Sequence, residues 1–434
     1  MDALTRRWQA HTVVRFNGGA QAGHNVIRGT GAGSAGLHHT FSQFGAGTLV
    51  PGTRTLLLDP MIVHPTALLV EAEAMGRIGI HDALPRMSID AQCRITTPYH
   101  QAAGRLREKL RGGAAHGTCG VGVGETVHHG LEHPDQVLRY GDFSPLANSG
   151  QVRDLGYKLQ VIRETLLAVF WAHCPPGSEG AGTEEFHTLL DESVAERWLP
   201  VCRALARQCP PASAEDIQTQ MIRPGTVLFE GAQGVLLDEW RGFHPHTTWS
   251  SINTAAVESV AARYGITSGF EHYGVLRSYL TRHGNGPLPT HDASLDEVLP
   301  EPHNSSEGWQ GRFRRGHPDA VLLRYALESA GCLSGLLIGH LDVFQRGMKL
   351  KWCDHYLNKA HPAFPRHVEQ LPICREEDLQ HQSQLTSLLL NAQPQYASES
   401  ITSSEAFLDR VASITFLPVA FESYGVTDSD LRAR

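Results

Sequence analysis

The chain has 434 residues, a formal net charge of −8, a pI near 6.3 and 41% hydrophobic residues. That balance argues against a general nucleic-acid surface and against intrinsic disorder, leaving a globular protein whose partners are small molecules. No apolar run reaches the roughly 18 residues of a membrane span and no charged-then-apolar leader opens the sequence, so the expected compartment is the cytoplasm, with no membrane or nucleic-acid partner.

In chain order, residues 2–8 read as the tail of a helix and 12–16 as a buried strand. The strand runs into a glycine-rich turn that ends on His24. Glycines let the backbone approach a ligand or take positive φ, and an imidazole at the end of such a turn is placed for chemistry. A formal GxGxxG at Gly31–Gly36 lacks a helical pattern after it and reads as a flexible loop. Residues 55–59 form a strand and 65–75 a helix, and this alternation predicts an α/β fold with a large, mostly parallel sheet flanked by helices. Apolar residues at helical spacing over 155–173 and 183–206 predict a helical insertion at about 150–210 within a single domain spanning 1–434. After a break at 208–211 the chain returns to a strand at 227–230. A helix is expected over 320–330, a strand over 336–338, and an irregular surface segment over the Gln- and Ser-rich stretch 379–405.

The eight cysteines, at 93, 119, 174, 202, 209, 332, 353 and 374, form no CxxC pair and read as buried, reduced thiols. The pairs His38-His39 and His128-His129 have no carboxylate or cysteine at ligand spacing, which disfavours a metal cluster there. No GxSxG nucleophile elbow is present, so a hydrolase finds no support.

Three blocks in a fixed order carry a resemblance: residues 13–26 (VVRFNGGAQAGHNV), 229–238 (FEGAQGVLLD) and 274–290 (GVLRSYLTRHGNGPLPT). Together they resemble the adenylosuccinate synthetase family, whose fold is related to the P-loop NTPases. The family joins aspartate to the 6-position of inosine monophosphate (IMP), using GTP and Mg2+, and its members pair as homodimers.

The resemblance implies roles for particular residues. His24 is the catalytic histidine that assists phosphoryl transfer to the purine 6-oxygen, a charge-stabilising task suited to imidazolium. Gly23 is the backbone position near the magnesium, and Gln21, where the family has asparagine, meets the nucleotide. Thr118, in a glycine-rich turn, matches a phosphate-binding threonine whose neighbouring amides can cradle an anion. Gln233, also catalytic, and Thr248 match residues around the nucleotide substrate, with Trp249 inserted beside the latter. Arg312 and Arg314 match the arginines that clamp the carboxylates of aspartate, guanidinium forks being suited to that geometry. Asp342 and Gly425 fall where the family binds the nucleoside triphosphate.

The sequence also departs from the family. Trp309 and Gln310 replace two threonines before the arginine loop, and His340 replaces a lysine near Asp342, so aspartate against another amine and GTP against ATP both stay open. No GxxxxGK[ST] motif occurs, and none of the lysines at 109, 158, 349, 351 and 359 follows a glycine-rich loop. Family members carry a phosphate loop of about a dozen residues ahead of a helix like that at Asp2. The expectation is that this loop is missing because the start lies upstream of Met1, or because it was lost. Two functional readings follow: a ligase of this type, or a non-catalytic purine-nucleotide-binding or regulatory paralogue.

Overall fold

A computed structural model describes residues 1–29, 36–144, 149–304, 308–359 and 361–434, with the side chains of 149–153 outside the description. The GxGxxG stretch lies almost wholly outside the described residues. The chain divides into two compact units: Met1–Val26, Leu37–Ala232 and Ser259–Thr267 form the first, and Ile27–Gly36, Gln233–Glu258 and Ser268–Arg434 the second.

The first unit is built on strands β1 (Thr12–Arg15), β4 (Arg54–Leu57), β5 (Met87–Asp90), β6 (Pro211–Ala212) and β7 (Val227–Glu230), in the spatial order β6-β5-β4-β1-β7. β2 (His24–Arg28) and β3 (Leu37–Phe41) pair separately beside them. Every neighbouring pair in the five-stranded sheet is parallel. β1 lies between β4 and β7 and is buried along its whole length, its polar ends Thr12 and Arg15 as well as Val13 and Val14. Its register with β7 sets Arg15 opposite Glu230.

Helices α1 (Asp2–Arg7), α2 (Pro65–Arg77), α3 (Pro98–Arg111) and α4 (Val123–Glu132) follow the expected alternation. α2 and α3 each begin with proline in the first turn behind a side-chain cap, His64 and Thr97 respectively. Helices α5 (Ser149–Trp171), α6 (Glu184–Leu190) and α7 (Ser193–Gln208) lie in the stretch read as a helical insertion, and α8 (Ala214–Met221) follows. Residues 183–206, read as one pattern, form two helices. The break falls at Asp191, whose carboxylate accepts the Ser193 N–H at 2.9 Å and its hydroxyl at 2.6 Å. Leu159, Ile162 and Leu166 of α5, Leu189 of α6, and Trp198, Cys202 and Leu205 of α7 join one core with the sheet residues Leu57 and Ile89. Five cysteines are buried, whereas Cys119 and Cys374 are half-buried and Cys332 is exposed.

After α9 (Thr254–Ala262), the second unit contains β8 (Tyr273–Arg277), β9 (Leu280–His283), α10 (Ala293–Val298), β10 (Phe313–Gly316), α11 (Ala320–Ala330), β11 (Gly335–Gly339), α12 (Asp342–Gln345), β12 (Cys353–Leu357), β13 (His367–Val368), α13 (Leu379–Asn391), β14 (Gln393–Tyr396), α14 (Ser404–Thr415), β15 (Val419–Ser423) and β16 (Leu431–Ala433). β8, β11 and β15 are parallel, with β16 added antiparallel at the edge. β9 and β10 form an antiparallel pair.

The segment expected to be irregular, 379–405, instead holds α13 and β14. Leu385, Leu388 and Leu389 fall at helical spacing and are buried with Tyr325 and Tyr356, while Ser383, Gln384 and Ser387 face outward. Ser383, Gln384 and Ser387 are one face of an amphipathic helix, while Gln382 is buried on the other and accepts the Tyr325 hydroxyl at 3.2 Å. Among the described residues no helix is long and apolar enough to cross a membrane.

Candidate functional site

In the first unit, the loops leaving the C-terminal ends of β1 and β7 are tied together. The Asn17 amide donates to the Ala232 carbonyl at 3.4 Å and its oxygen accepts the Ala232 N–H at 2.9 Å. A side chain at Gly19 would place its Cβ 2.8 Å from the Ile62 carbonyl oxygen, so the chain passes here only as glycine. Five residues on, His24 opens β2, and its Nδ1 lies 2.7 Å from Oε1 of Glu230, the last residue of β7.

Glu230 is 4% exposed, and its second oxygen accepts the Ala46 N–H at 2.8 Å. Burial alone would raise its pKa, but the charge and hydrogen bond of His24 and the charge of Arg15 hold it well below the ordinary carboxylate range. An ionised carboxylate only accepts, so Nδ1 of His24 donates. The other ring nitrogen has no partner among the described residues and is free for a ligand.

The amide of Gln21 is buried with both polar atoms unpartnered among the described residues. A buried amide left without partners costs about 1–3 kcal/mol, a cost a bound polar ligand removes. Gly23 is exposed, and a Cβ there would meet only Thr40, so nothing steric demands a glycine.

Thr118 lies in the loop between α3 and α4. The Gly117 and Thr118 N–H groups, read as an open anion cradle, both donate to Glu108, at 2.5 and 3.3 Å. This leaves the Thr118 side chain, rather than its amide, as the group available to a phosphate. Glu108 is 6% exposed and pairs through its other oxygen with Arg111 at 3.1 Å.

In the second unit, Gln233 holds a positive φ of 65° with its side-chain oxygen buried and unpartnered. Such strain in a non-glycine residue costs of order 1–3 kcal/mol and is concentrated at functional sites. Thr248 sits in a loop organised by Asp238, whose carboxylate accepts the N–H groups of Trp240, Arg241 and Ile252 at 2.9, 3.0 and 2.7 Å. Trp249 beside it is exposed.

The β9–β10 register sets Arg282 opposite Arg314. Arg314 donates to the carbonyls of Gly284, at 2.6 Å, and Gly286. Arg282 is 9% exposed and donates to the His246 carbonyl at 2.8 Å, while its Nε is buried without a partner. Burial and the neighbouring charge of Arg314 push the Arg282 pKa down to about 10. Among the described residues both guanidinium groups of this facing pair donate to backbone carbonyls and form no ion pair with a carboxylate. Arg312, by contrast, is exposed and paired with Asp296 at 2.9 Å. The two arginines read as equivalent clamps therefore differ, and the buried companion of Arg314 is Arg282, to which the sequence assigned no role.

Asp342 opens α12 and pairs with Arg346 at 3.1 Å. His340 has φ 60°, and its Nδ1 lies 3.3 Å from the Tyr279 hydroxyl. Burial, then the charge of Arg277, push its pKa down to about 4, so the residue standing in for a lysine is neutral at pH 7. At Gly425 a Cβ would fall 2.4 Å from the Asp430 carboxylate, so glycine here serves the turn itself. Among the described residues no group of three or more His, Cys, Asp or Glu could hold a metal ion.

Parallel strands flanked by helices, with loops and the unsatisfied amide of Gln21 at the C-terminal edge of the first unit's sheet, are the features of an α/β enzyme of small molecules. The sequence profile of adenylosuccinate synthetase matches residues 1–425. The chain is 29% identical to an adenylosuccinate synthetase of Polaromonas sp. over 440 residues, covering 96% of this chain and 89% of that protein. With the one of Halorhodospira halophila it shares 30% identity over 440 residues, covering 98% and 92%. The solved structure of fully ligated adenylosuccinate synthetase from Plasmodium falciparum has the same fold, with a TM-score of 0.75 at 18% identity, covering 100% of this chain and 95% of that one. The succinoaminodeoxyadenylate synthetase of cyanophage S-2L, bound to dGMP and dATP, matches with a TM-score of 0.57 at 14% identity, covering 100% and 90%.

The chain thus belongs to the adenylosuccinate synthetase family. It is a carbon–nitrogen ligase that joins aspartate to a 6-oxopurine nucleotide, IMP, with activation by a nucleoside triphosphate.

Proposed function

We propose that His24 is the catalytic centre of this ligation. The γ-phosphoryl group of the triphosphate passes to the 6-oxygen of IMP, and the nucleoside diphosphate departs. The amino nitrogen of aspartate then attacks C6, and the 6-oxygen leaves with inorganic phosphate. Two moments need help: negative charge on the 6-oxygen, and its departure. In the first unit Nε2 of His24 donates to that oxygen, and in the second the Gln233 amide is a contact for the purine.

In the first unit, Gln21 and Thr118 contact the nucleotide substrate. In the second, Thr248 holds its phosphate, Arg312 and Arg314 bind the carboxylates of aspartate, and Asp342 and Gly425 bind GTP or ATP. Mg2+ supplies charge neutralisation on the triphosphate. It is commonly carried by phosphates with few protein ligands. The Gly23 carbonyl is the group that would hold it. A homodimer in the cytoplasm completes the reading.

The single observation that carries this proposal is the 2.7 Å bond between His24 and buried Glu230, which leaves one nitrogen of the ring free. The test is incubation of the purified chain with Mg2+, IMP, GTP or ATP, and a panel of amino acids. The adduct with IMP plus aspartate less water, matched by equimolar phosphate, is expected. Nucleotide binding with no phosphate release from any combination would overturn the catalytic reading in favour of a binding protein.

A further inference from the structure

We infer that Glu230 is a positioning residue for catalysis: its carboxylate, fixed at the end of β7, locks the His24 ring with Nδ1 toward the sheet and Nε2 toward substrate. The inference rests on the ligase reading of His24 and adds to it a residue that acts through the imidazole.

The geometry is that of an orienting acceptor rather than a general ion pair. Each Glu230 oxygen receives one directed N–H, Oε1 from His24 at 2.7 Å and Oε2 from Ala46 at 2.8 Å, so the carboxylate plane is fixed from both sides. Arg15 stands opposite on the neighbouring strand, fully buried, but donates to the Phe44 carbonyl at 3.2 Å and forms no ion pair with Glu230. Its charge keeps the carboxylate ionised without competing for the oxygen that holds the ring. His24 opens β2 at the end of a glycine-rich turn, its side chain 25% exposed, and the end of β7 constrains the rotation of the ring through Glu230. Ring orientation set by a carboxylate on the far nitrogen is a general device for presenting the near one.

The test is Glu230→Gln. With its oxygen kept on the Ala46 N–H, the glutamine turns its NH2 toward Nδ1, which must then accept, so the ring keeps a single proton, on Nε2, and loses the doubly protonated form in which Nδ1 donates to position 230 while Nε2 donates to the 6-oxygen. We expect kcat to fall about 100-fold while the KM values for IMP and aspartate stay within about twofold. Nitrogen NMR of His24 should report Nδ1 protonated in the unaltered chain and unprotonated in Glu230→Gln. Adding Glu230→Gln to a His24→Asn background should produce no further loss. Equal losses in both backgrounds, or a loss confined to KM, would overturn the inference. The tautomer of the unaltered chain is readable without turnover and without the variant folding. An unprotonated Nδ1 there overturns the positioning role on its own, whereas a protonated Nδ1 in a chain that ligates nothing overturns the ligase reading instead.

Discussion

The backbone N–H of Thr118 donates to the carboxylate of Glu108 at 3.3 Å, and the neighbouring Gly117 N–H does so at 2.5 Å. A buried carboxylate on the last turn of α3 thus sets the path of the loop that presents Thr118. Removing it leaves two amides without acceptors. Glu108→Ala should cost about 1–3 kcal/mol of stability and raise the KM for IMP about tenfold, with kcat little changed. Chemical denaturation and initial-rate kinetics check the two halves separately.

Arg314 and Arg312 should separate in kinetics. Arg314 is half-buried beside Arg282 with only carbonyls as partners, whereas Arg312 is exposed and already paired with Asp296. Arg314→Ala should raise the KM for aspartate by about 100-fold, equivalent to roughly 3 kcal/mol, and Arg312→Ala by clearly less. Succinate, a dicarboxylate without the amine, should raise the melting temperature of the unaltered chain and not that of Arg314→Ala.

His100 is buried in α3, with its ring centroid 5.1 Å from that of His129. Burial, and then the charge of His129, lower its pKa to about 3. In the unfolded chain it titrates near 6.5, so between those values the unfolded state binds more protons and stability falls as pH drops. The contribution is intact above pH 6.5 and amounts to about 2 kcal/mol lost by pH 5. His100→Gln, which can still reach back to the Thr97 N–H as a capping-box residue, should flatten that part of the stability profile in urea melts.

Leu385→Ala in α13 should cost about 2–5 kcal/mol, since the side chain is fully buried among Tyr325, Tyr356 and Leu389. A change within about 0.5 kcal/mol, as expected of an irregular surface segment, would contradict the helix.

What could be read from the sequence follows from the range of the interactions. β1 and β7 are legible from their apolar centres, Val13-Val14 and Val227-Leu228-Phe229, and α2 because its spacing and its proline at the start are local. α13 reads as irregular from its Gln- and Ser-rich composition, although Leu385, Leu388 and Leu389 carry the helical period. The split between α6 and α7 falls at Asp191, which ends α6 and whose carboxylate accepts the N–H of Ser193, the first residue of α7. The partner of His24 lies 206 residues away, and only the parallel pairing of β1 with β7 brings Glu230 to it. The same holds for Arg282, whose significance appears only once the β9–β10 register sets it against Arg314.

The measurement that tests the account most directly follows the purine oxygen. IMP labelled with oxygen-18 at the 6-position is turned over with aspartate, Mg2+ and GTP or ATP, and the inorganic phosphate is analysed by mass. The account predicts one labelled oxygen in each phosphate released, because the 6-oxygen is phosphorylated before the amine displaces it. Phosphate that forms without label while adduct accumulates would contradict it, since the oxygen would then have left as water and His24 would have no phosphorylated intermediate to assist.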